Sequence, residues 1–277
     1  EGSWVAMTFD AKGHVIVAAH DGGLYRLDLS SPSLKAKPII TPIRAAQGLE
    51  TVGERLYVVV NGHQGDGPGL YCLLDADQDD KYEEVRKLKS FEGSGDHGPH
   101  GVNASRDGKS LFVIAGNDTK LPAELTSSRV PPFWQEDQLL PRMDDPTGFA
   151  TWNSAPNGWI CRTDLEGQEW ELIAVGLRNA YDLAMDPSGE LFTCDADMEF
   201  DTGLPWYRPA RINHVPSGAE FGYRHGNGKW PEYFADSVPA AVDIGLASPT
   251  GLVFGDRARF PAIYRSSLFV LDWAFGT

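Results

Sequence analysis

The residues best suited to chemistry fall in three short stretches. In Gly95-Asp96-His97-Gly98-Pro99-His100-Gly101, three glycines and a proline set the backbone around an aspartate and two histidines. A loop of this make-up presents side chains outward instead of filling a core. A histidine such as His97, with Asp96 beside it, could take a proton from a hydroxyl near neutral pH; two surface histidines in a turn are the alternative. In Gly176-Leu177-Arg178-Asn179-Ala180-Tyr181-Asp182, Arg178 offers a permanently charged donor fork and Asn179 both a donor and an acceptor. That combination holds an anion or polarises a carbonyl; a structural pair between Arg178 and Asp182 competes with it. In Cys194-Asp195-Ala196-Asp197-Met198-Glu199-Phe200-Asp201, four carboxylates within seven residues repel one another unless a cation or the following arginines offset them. Asp195, Asp197 and Asp201 are the candidate metal ligands, and hard oxygen donors favour Ca²⁺ over zinc. A solvated acidic loop is the other reading. Asp75-Ala76-Asp77-Gln78-Asp79-Asp80 opens like a calcium loop, but Asp80 and Arg86 stand where an EF-hand requires Gly and Glu. A calcium turn of another kind, or an Asp-rich turn, remains.

The elements that must position these stretches are strands. Helical periodicity is nearly absent, and short apolar or β-branched runs recur between turn signals: Val15 to Ala18, Leu56 to Val60, Leu111 to Ala115, Gly158 to Arg162, Glu190 to Cys194 and Leu268 to Leu271. Four of these follow a turn ending in Gly13, Gly53, Gly108 or Gly189, and three of the four turns have the Asp-x-x-Gly form of a type I turn (Asp10, Asp186) or a close variant at Asp107-Gly108. These glycines are spaced 40, 55 and 81 residues apart. A four-stranded propeller blade takes roughly 40 to 50 residues, so the spacing predicts one all-β domain over 1–277, a β-propeller with an insertion at about 117–157. The insertion is proline-rich and carries Phe133, Trp134, Phe149 and Trp152, which reads as an ordered lid. A fifth repeat is expected to start at Pro249-Thr250-Gly251, and Leu268 to Trp273 reads as a buried strand near the end of an incomplete propeller.

Composition narrows the function. With 24 Lys and Arg against 39 Asp and Glu, the net charge is −15, which argues against nucleic acid and anionic membrane surfaces as partners. The longest apolar run is about five residues, far short of the roughly 18 a spanning helix needs. Cys72, Cys161 and Cys194 are too dispersed for a metal knuckle or covalent haem attachment and read as buried strand thiols. Glu1 to Trp4 shows no basic-then-apolar leader, and the chain is expected to be part of something longer.

Taken in order, these segments resemble the quinoprotein glucose/sorbosone dehydrogenases, six-bladed propellers that use pyrroloquinoline quinone (PQQ) and calcium. The resemblance runs from about Gln47 to the C-terminus. Asp96-His97 stand before Asp107-Gly108 as that family's Asp-His pair stands before its own turn, and Arg178-Asn179 follow Gly176 as its quinone-contacting Arg-Asn follows a Gly. Gln47-Gly48-Leu49 is similar to a cofactor-contacting Gln before Gly-Leu, and Tyr223 in Glu220-Phe221-Gly222-Tyr223-Arg224 takes the place of a Trp that lies on the cofactor. Asp195-Ala196-Asp197-Met198-Glu199, Pro205-Trp206-Tyr207-Arg208-Pro209 and Glu136 to Arg142 resemble a branch of large membrane-bound-dehydrogenase-like proteins of planctomycete-like bacteria. The resemblance implies His97 as base, with Arg178 and Asp96 beside it in catalysis, and Gln47, Arg178, Asn179, Tyr223 and Arg208 around PQQ. It further implies Ca²⁺, a sugar or polyol substrate, a c-type haem domain or cytochrome as electron acceptor with no haem site in this chain, and a periplasmic or other extracytoplasmic location. Two other functions fit a propeller: a calcium-dependent lactonase or sugar-ester hydrolase using the Asp195 to Asp201 carboxylates, and a non-catalytic carbohydrate- or protein-binding module using Trp134, Trp152 and Trp206.

Overall fold

The computed structural model describes residues 3–20, 22–30, 35–77, 79, 81–82, 84–131, 148, 151, 158–196, 200–201, 204–205, 209–224, 233–234, 237–274 and 276, with only the backbone described at 200–201 and 204–205. Within them the chain winds through four antiparallel blades. Blade 1 is β1 (Trp4–Phe9), β2 (Val15–Ala19), β3 (Leu24–Leu27) and β4 (Ala36–Pro38); blade 2 is β5 (Ala46–Val52), β6 (Arg55–Val60), β7 (Gly69–Leu74) and β8 (Glu84–Ser90). Blade 3 uses β9 (Pro99–Ala104), β10 (Ser110–Ala115), β12 (Trp159–Asp164) and β13 (Trp170–Val175). Two short strands, β11 (Ser127–Ser128) and β19 (Ala219–Glu220), run parallel to β13. Blade 4 is β14 (Leu183–Met185), β15 (Leu191–Asp195), β18 (Ala210–His214) and β20 (Val242–Gly245), and a small hairpin, β16 (Phe200–Asp201) with β17 (Leu204–Pro205), rises between its second and third strands. β21 (Pro249–Phe254) and β22 (Leu268–Asp272) pair as a fifth, two-stranded sheet.

The all-β propeller expectation holds, while the described residues form four complete blades and the start of a fifth in place of six. The turn glycines fall where the repeat places them: Gly13, Gly53, Gly108 and Gly189 each have positive φ and sit between the first and second strands of a blade. The apolar runs Val15 to Ala18, Leu56 to Val60, Leu111 to Ala115 and Glu190 to Cys194 belong to those second strands, which are covered on both faces. In β6, Tyr57 and Val59 pack toward blade 3 with Val102, Leu111 and Trp159, and Leu56, Val58 and Val60 pack toward blade 1 with Ile16 and Leu24. Burial on both faces removes the polar half of the strand alternation, so these strands read as continuous apolar runs. Cys72, Cys161 and Cys194 are free and buried, as expected.

Leu268 to Trp273 departs from its expectation. The strand forms, but among described strands it pairs with β21 alone; Leu268 and Val270 pack toward blade 4, while Leu271 is 55% and Trp273 79% exposed. Most of the proposed lid, including Phe133, Trp134, Phe149 and Trp152, lies outside the described residues, as does Trp206.

Candidate functional site

The first strands of the blades press together around a central channel. A Cβ on Gly48 of β5 would lie 2.4 Å from the carbonyl oxygen of His100 on β9, and one on Gly101 would lie 3.0 Å from the carbonyl oxygen of Tyr181, just before β14. Only glycine permits that approach. The stretches singled out above meet at this end of the channel, where the inner strands begin.

Asp96 and His97 occupy a turn closed by the Gly98 N–H on the Gly95 carbonyl (3.0 Å), which also accepts from the Asn61 amide (2.8 Å). Asp96 is exposed and His97 half-buried. The imidazole Nδ1 lies 2.7 Å from Oδ1 of the buried Asn117. An amide oxygen only accepts, so Nδ1 is the donor in this contact, and in the neutral ring Nε2 is then the nitrogen with the lone pair, the tautomer a general base needs. Asn117 reaches this position because Gly116 lets the backbone lie against His97: a Cβ there would fall 2.5 Å from the His97 carbonyl oxygen. The Asn117 N–H donates in turn to the carbonyl of Arg178 (2.7 Å), fixing the base and the arginine to one residue.

Arg178 and Asn179 follow β13 after Gly176, which has φ +78 and leaves room for the Glu220 carboxylate against its Cα. Their backbone N–H groups donate to the two carboxylate oxygens of Asp195, at 3.0 and 2.8 Å. Asp195 is fully buried. Its expected role was metal ligation; the structure shows it holding the Arg178-Asn179 turn. The guanidinium, itself buried, donates to the Ala196 carbonyl (3.3 Å). Oδ1 of Asn179 is buried with no hydrogen-bond partner among the described residues. Tyr223 is tied in by its N–H on the Gly176 carbonyl (2.9 Å), and the buried pair of Glu220 and Arg224 (3.1 Å) braces that segment. Gln47, at a bulge of β5, accepts from the Tyr181 hydroxyl (2.8 Å).

These contacts link the His97 turn to the Arg178-Asn179 turn through Asn117, the Tyr223 backbone to Gly176, and Gln47 to Tyr181. Asp197 and Arg208 lie outside the described residues, together with the Asp201 side chain. Among the described residues the carboxylates that converge are Asp75, Asp77 and Asp79, in the turn after β7, with oxygens all within 4.8 Å of one another; Asp79 is also bonded to Lys81. Sequence reasoning missed Asn117 and Tyr181. The signal for Asn117 was a Gly-Asn pair directly after a buried strand.

The far end of the channel is different. A cavity of about 140 Å³ opens there, lined by Glu50, Asn103, Arg106, Met185, Phe254 and Arg257. Burial raises the Glu50 carboxyl to about 7, with the charge of Asp182, which sits at the throat beside Tyr181, adding to it; burial lifts Asp182 itself to about 6. Arg106 straps this end together, donating to the Asp186 carbonyl (2.8 Å) and the Asp256 carboxylate (2.7 Å).

No protein-family model and no curated protein sequence matches the chain. Solved structures match its fold nearly end to end. A PQQ-bound aldose sugar dehydrogenase from Streptomyces coelicolor superposes with a TM-score of 0.65 at 13% identity, covering 98% of this chain and 75% of its own. A glucose dehydrogenase gives 0.69 at 18% identity, covering 99% and 81%. The holo PQQ domain of a pyranose dehydrogenase from Coprinopsis cinerea gives 0.62 at 13%, covering 91% and 68%. At these identities the likeness establishes the propeller fold.

Proposed function

We propose that the chain oxidises a hydroxyl of a sugar or polyol with a bound quinone, PQQ. The observation that carries this is the contact of His97 Nδ1 with Asn117, which also binds the backbone of the buried Arg178, together with an Asn179 Oδ1 that has no partner among the described residues. Propellers of the same fold described as PQQ-bound or holo sugar dehydrogenases support it.

In this reading Nε2 of His97 takes the hydroxyl proton of the substrate, and Asn117 keeps Nδ1 protonated so that the base stays in register. Bound PQQ supplies the two-electron acceptor for the hydride that leaves the carbinol carbon. Arg178, its backbone clamped by Asp195, would supply the positive charge that stabilises the reduced acceptor. Asn179 Oδ1 would accept from a donor of that group, and Gln47 and Tyr223 are the further residues that would hold it. Ca²⁺ belongs to the proposal through Asp195, Asp197 and Asp201. Transfer of the electrons to a c-type haem domain or cytochrome, an extracytoplasmic setting, and membership of the planctomycete-like branch are proposed on the resemblance of the motifs.

A titration of the protein with PQQ, with and without Ca²⁺, tests the reading. Calcium-dependent binding is expected, and a folded protein that leaves the quinone spectrum unchanged under both conditions overturns it.

A further inference from the structure

Between the inner strands the dipeptide Tyr181-Asp182 touches all four blades and the fifth, two-stranded sheet of β21 and β22. The Tyr181 hydroxyl donates to Gln47 Oε1 of blade 2 (2.8 Å) and lies 3.4 Å from the Val5 carbonyl of blade 1. Its ring stacks on His100 of blade 3, with centroids 4.6 Å apart. Asp182 accepts from the N–H of Leu183 (2.8 Å) in blade 4 and of Leu252 (3.1 Å) in the fifth sheet. The two glycine contacts that bring the inner strands closest, at Gly48 and Gly101, lie at the same level. Three residues further along each inner segment, Gln47 gives way to Glu50, His100 to Asn103 and Tyr181 to Ala184, all of which line the far cavity. At about 3.3 Å per residue that is roughly 10 Å below.

We propose that Tyr181 is a stopper: its ring and hydroxyl close the central channel at the floor of the candidate site and keep the water of the far cavity away from the residues above. The proposal concerns the free protein and stands apart from the dehydrogenase reading, though it explains how hydride chemistry at that site would be kept dry. His100, 2% exposed and packed beneath the ring, reports on the seal. Burial holds its imidazole down to about 4; the groups facing it are the Ala180 carbonyl, which lies 3.2 Å from Nδ1, His97 and Asp96.

The test is NMR titration of ¹⁵N-histidine-labelled protein, without cofactor, for wild type, Tyr181→Phe and Tyr181→Ala. His100 is expected to stay neutral down to about pH 4 in the wild type and nearly so in Tyr181→Phe, which keeps the ring. In Tyr181→Ala it should titrate at least ten times more readily, moving one unit or more toward the ordinary value. An unchanged His100 titration in a folded Tyr181→Ala protein overturns the stopper, as does a wild-type His100 that titrates normally. If Tyr181→Ala does not fold, Tyr181→Leu, which retains bulk without the flat ring or hydroxyl, takes its place with the same two outcomes. Failure of PQQ to bind would count against the proposed function and leave this result standing.

Discussion

The two ends of the central channel are built from the same inner strands, yet burial acts on opposite charges at each. At the candidate site burial acts on a base: His100 is held down to about 4. At the far end it acts on an acid, raising Glu50 to about 7. The unfolded His100 would take a proton near 6.5 and the folded one only near 4, so its contribution to stability is complete above 6.5 and is lost as pH falls toward 4. Glu50 runs the other way. Folded, it keeps its proton to about 7; unfolded, it loses it near 4.5, so its contribution is complete below 4.5 and is lost as pH rises through 7. One channel thus carries an acid limit at one end and an alkaline limit at the other. The site end also spends its polar groups on orientation, with Asp195 clamping a turn and Asn117 fixing a tautomer, while the far end keeps its carboxylates beside a cavity.

The comparison can be broken first at the site. Arg178→Met should lower turnover by about 10² to 10³-fold, the usual effect of removing one charge-stabilising donor. Thermal unfolding should move little, because the Asp195 bonds to the backbone N–H groups of Arg178 and Asn179 remain. A large loss of stability would show that the guanidinium is structural.

Glycine substitutions separate the ends by packing. Gly48→Ala forces a Cβ into the His100 carbonyl at the throat and should cost about 3 kcal/mol in urea unfolding. Gly189→Ala, at a turn on the far side with φ +97 and open space around it, should cost about 1 kcal/mol from backbone strain alone. Equal costs would mean that the throat is not the tighter region.

Glu50→Gln should remove most of the alkaline limit. At pH 8 the variant should unfold at higher urea than the wild type by about 2 kcal/mol, and the difference should vanish at pH 4.5, where the wild-type carboxyl is already protonated. A constant difference across that range would assign the effect to packing and not to titration.

How much of this was legible in the sequence follows from where each residue type is buried. Second strands such as β6 and β10 are apolar on both faces and announced themselves, as did the glycine turns, whose chemistry is local. The inner strands were quiet: Ala46-Gln47-Gly48-Leu49-Glu50 and Pro99-His100-Gly101 carry polar residues and glycines because they line a channel, and that composition has no strand signature. His97 and Arg178-Asn179 stood out because their loops are made of glycine and charge. Asp195 was legible as an acid but not in its use, since the N–H groups it holds lie sixteen and seventeen residues earlier. Tyr181 gave no signal, because its hydroxyl partner, Gln47, is 134 residues away and on another blade.

The central claim is that His97 acts as a base toward a quinone-linked hydroxyl oxidation. The most direct measurement is the rate at which aldoses and polyols bleach PQQ bound to the wild type and to His97→Ala, with Ca²⁺ present. Wild-type bleaching that falls by about 10² to 10⁴-fold in a variant that still binds the quinone is the predicted result. A variant that turns over at the wild-type rate would contradict it.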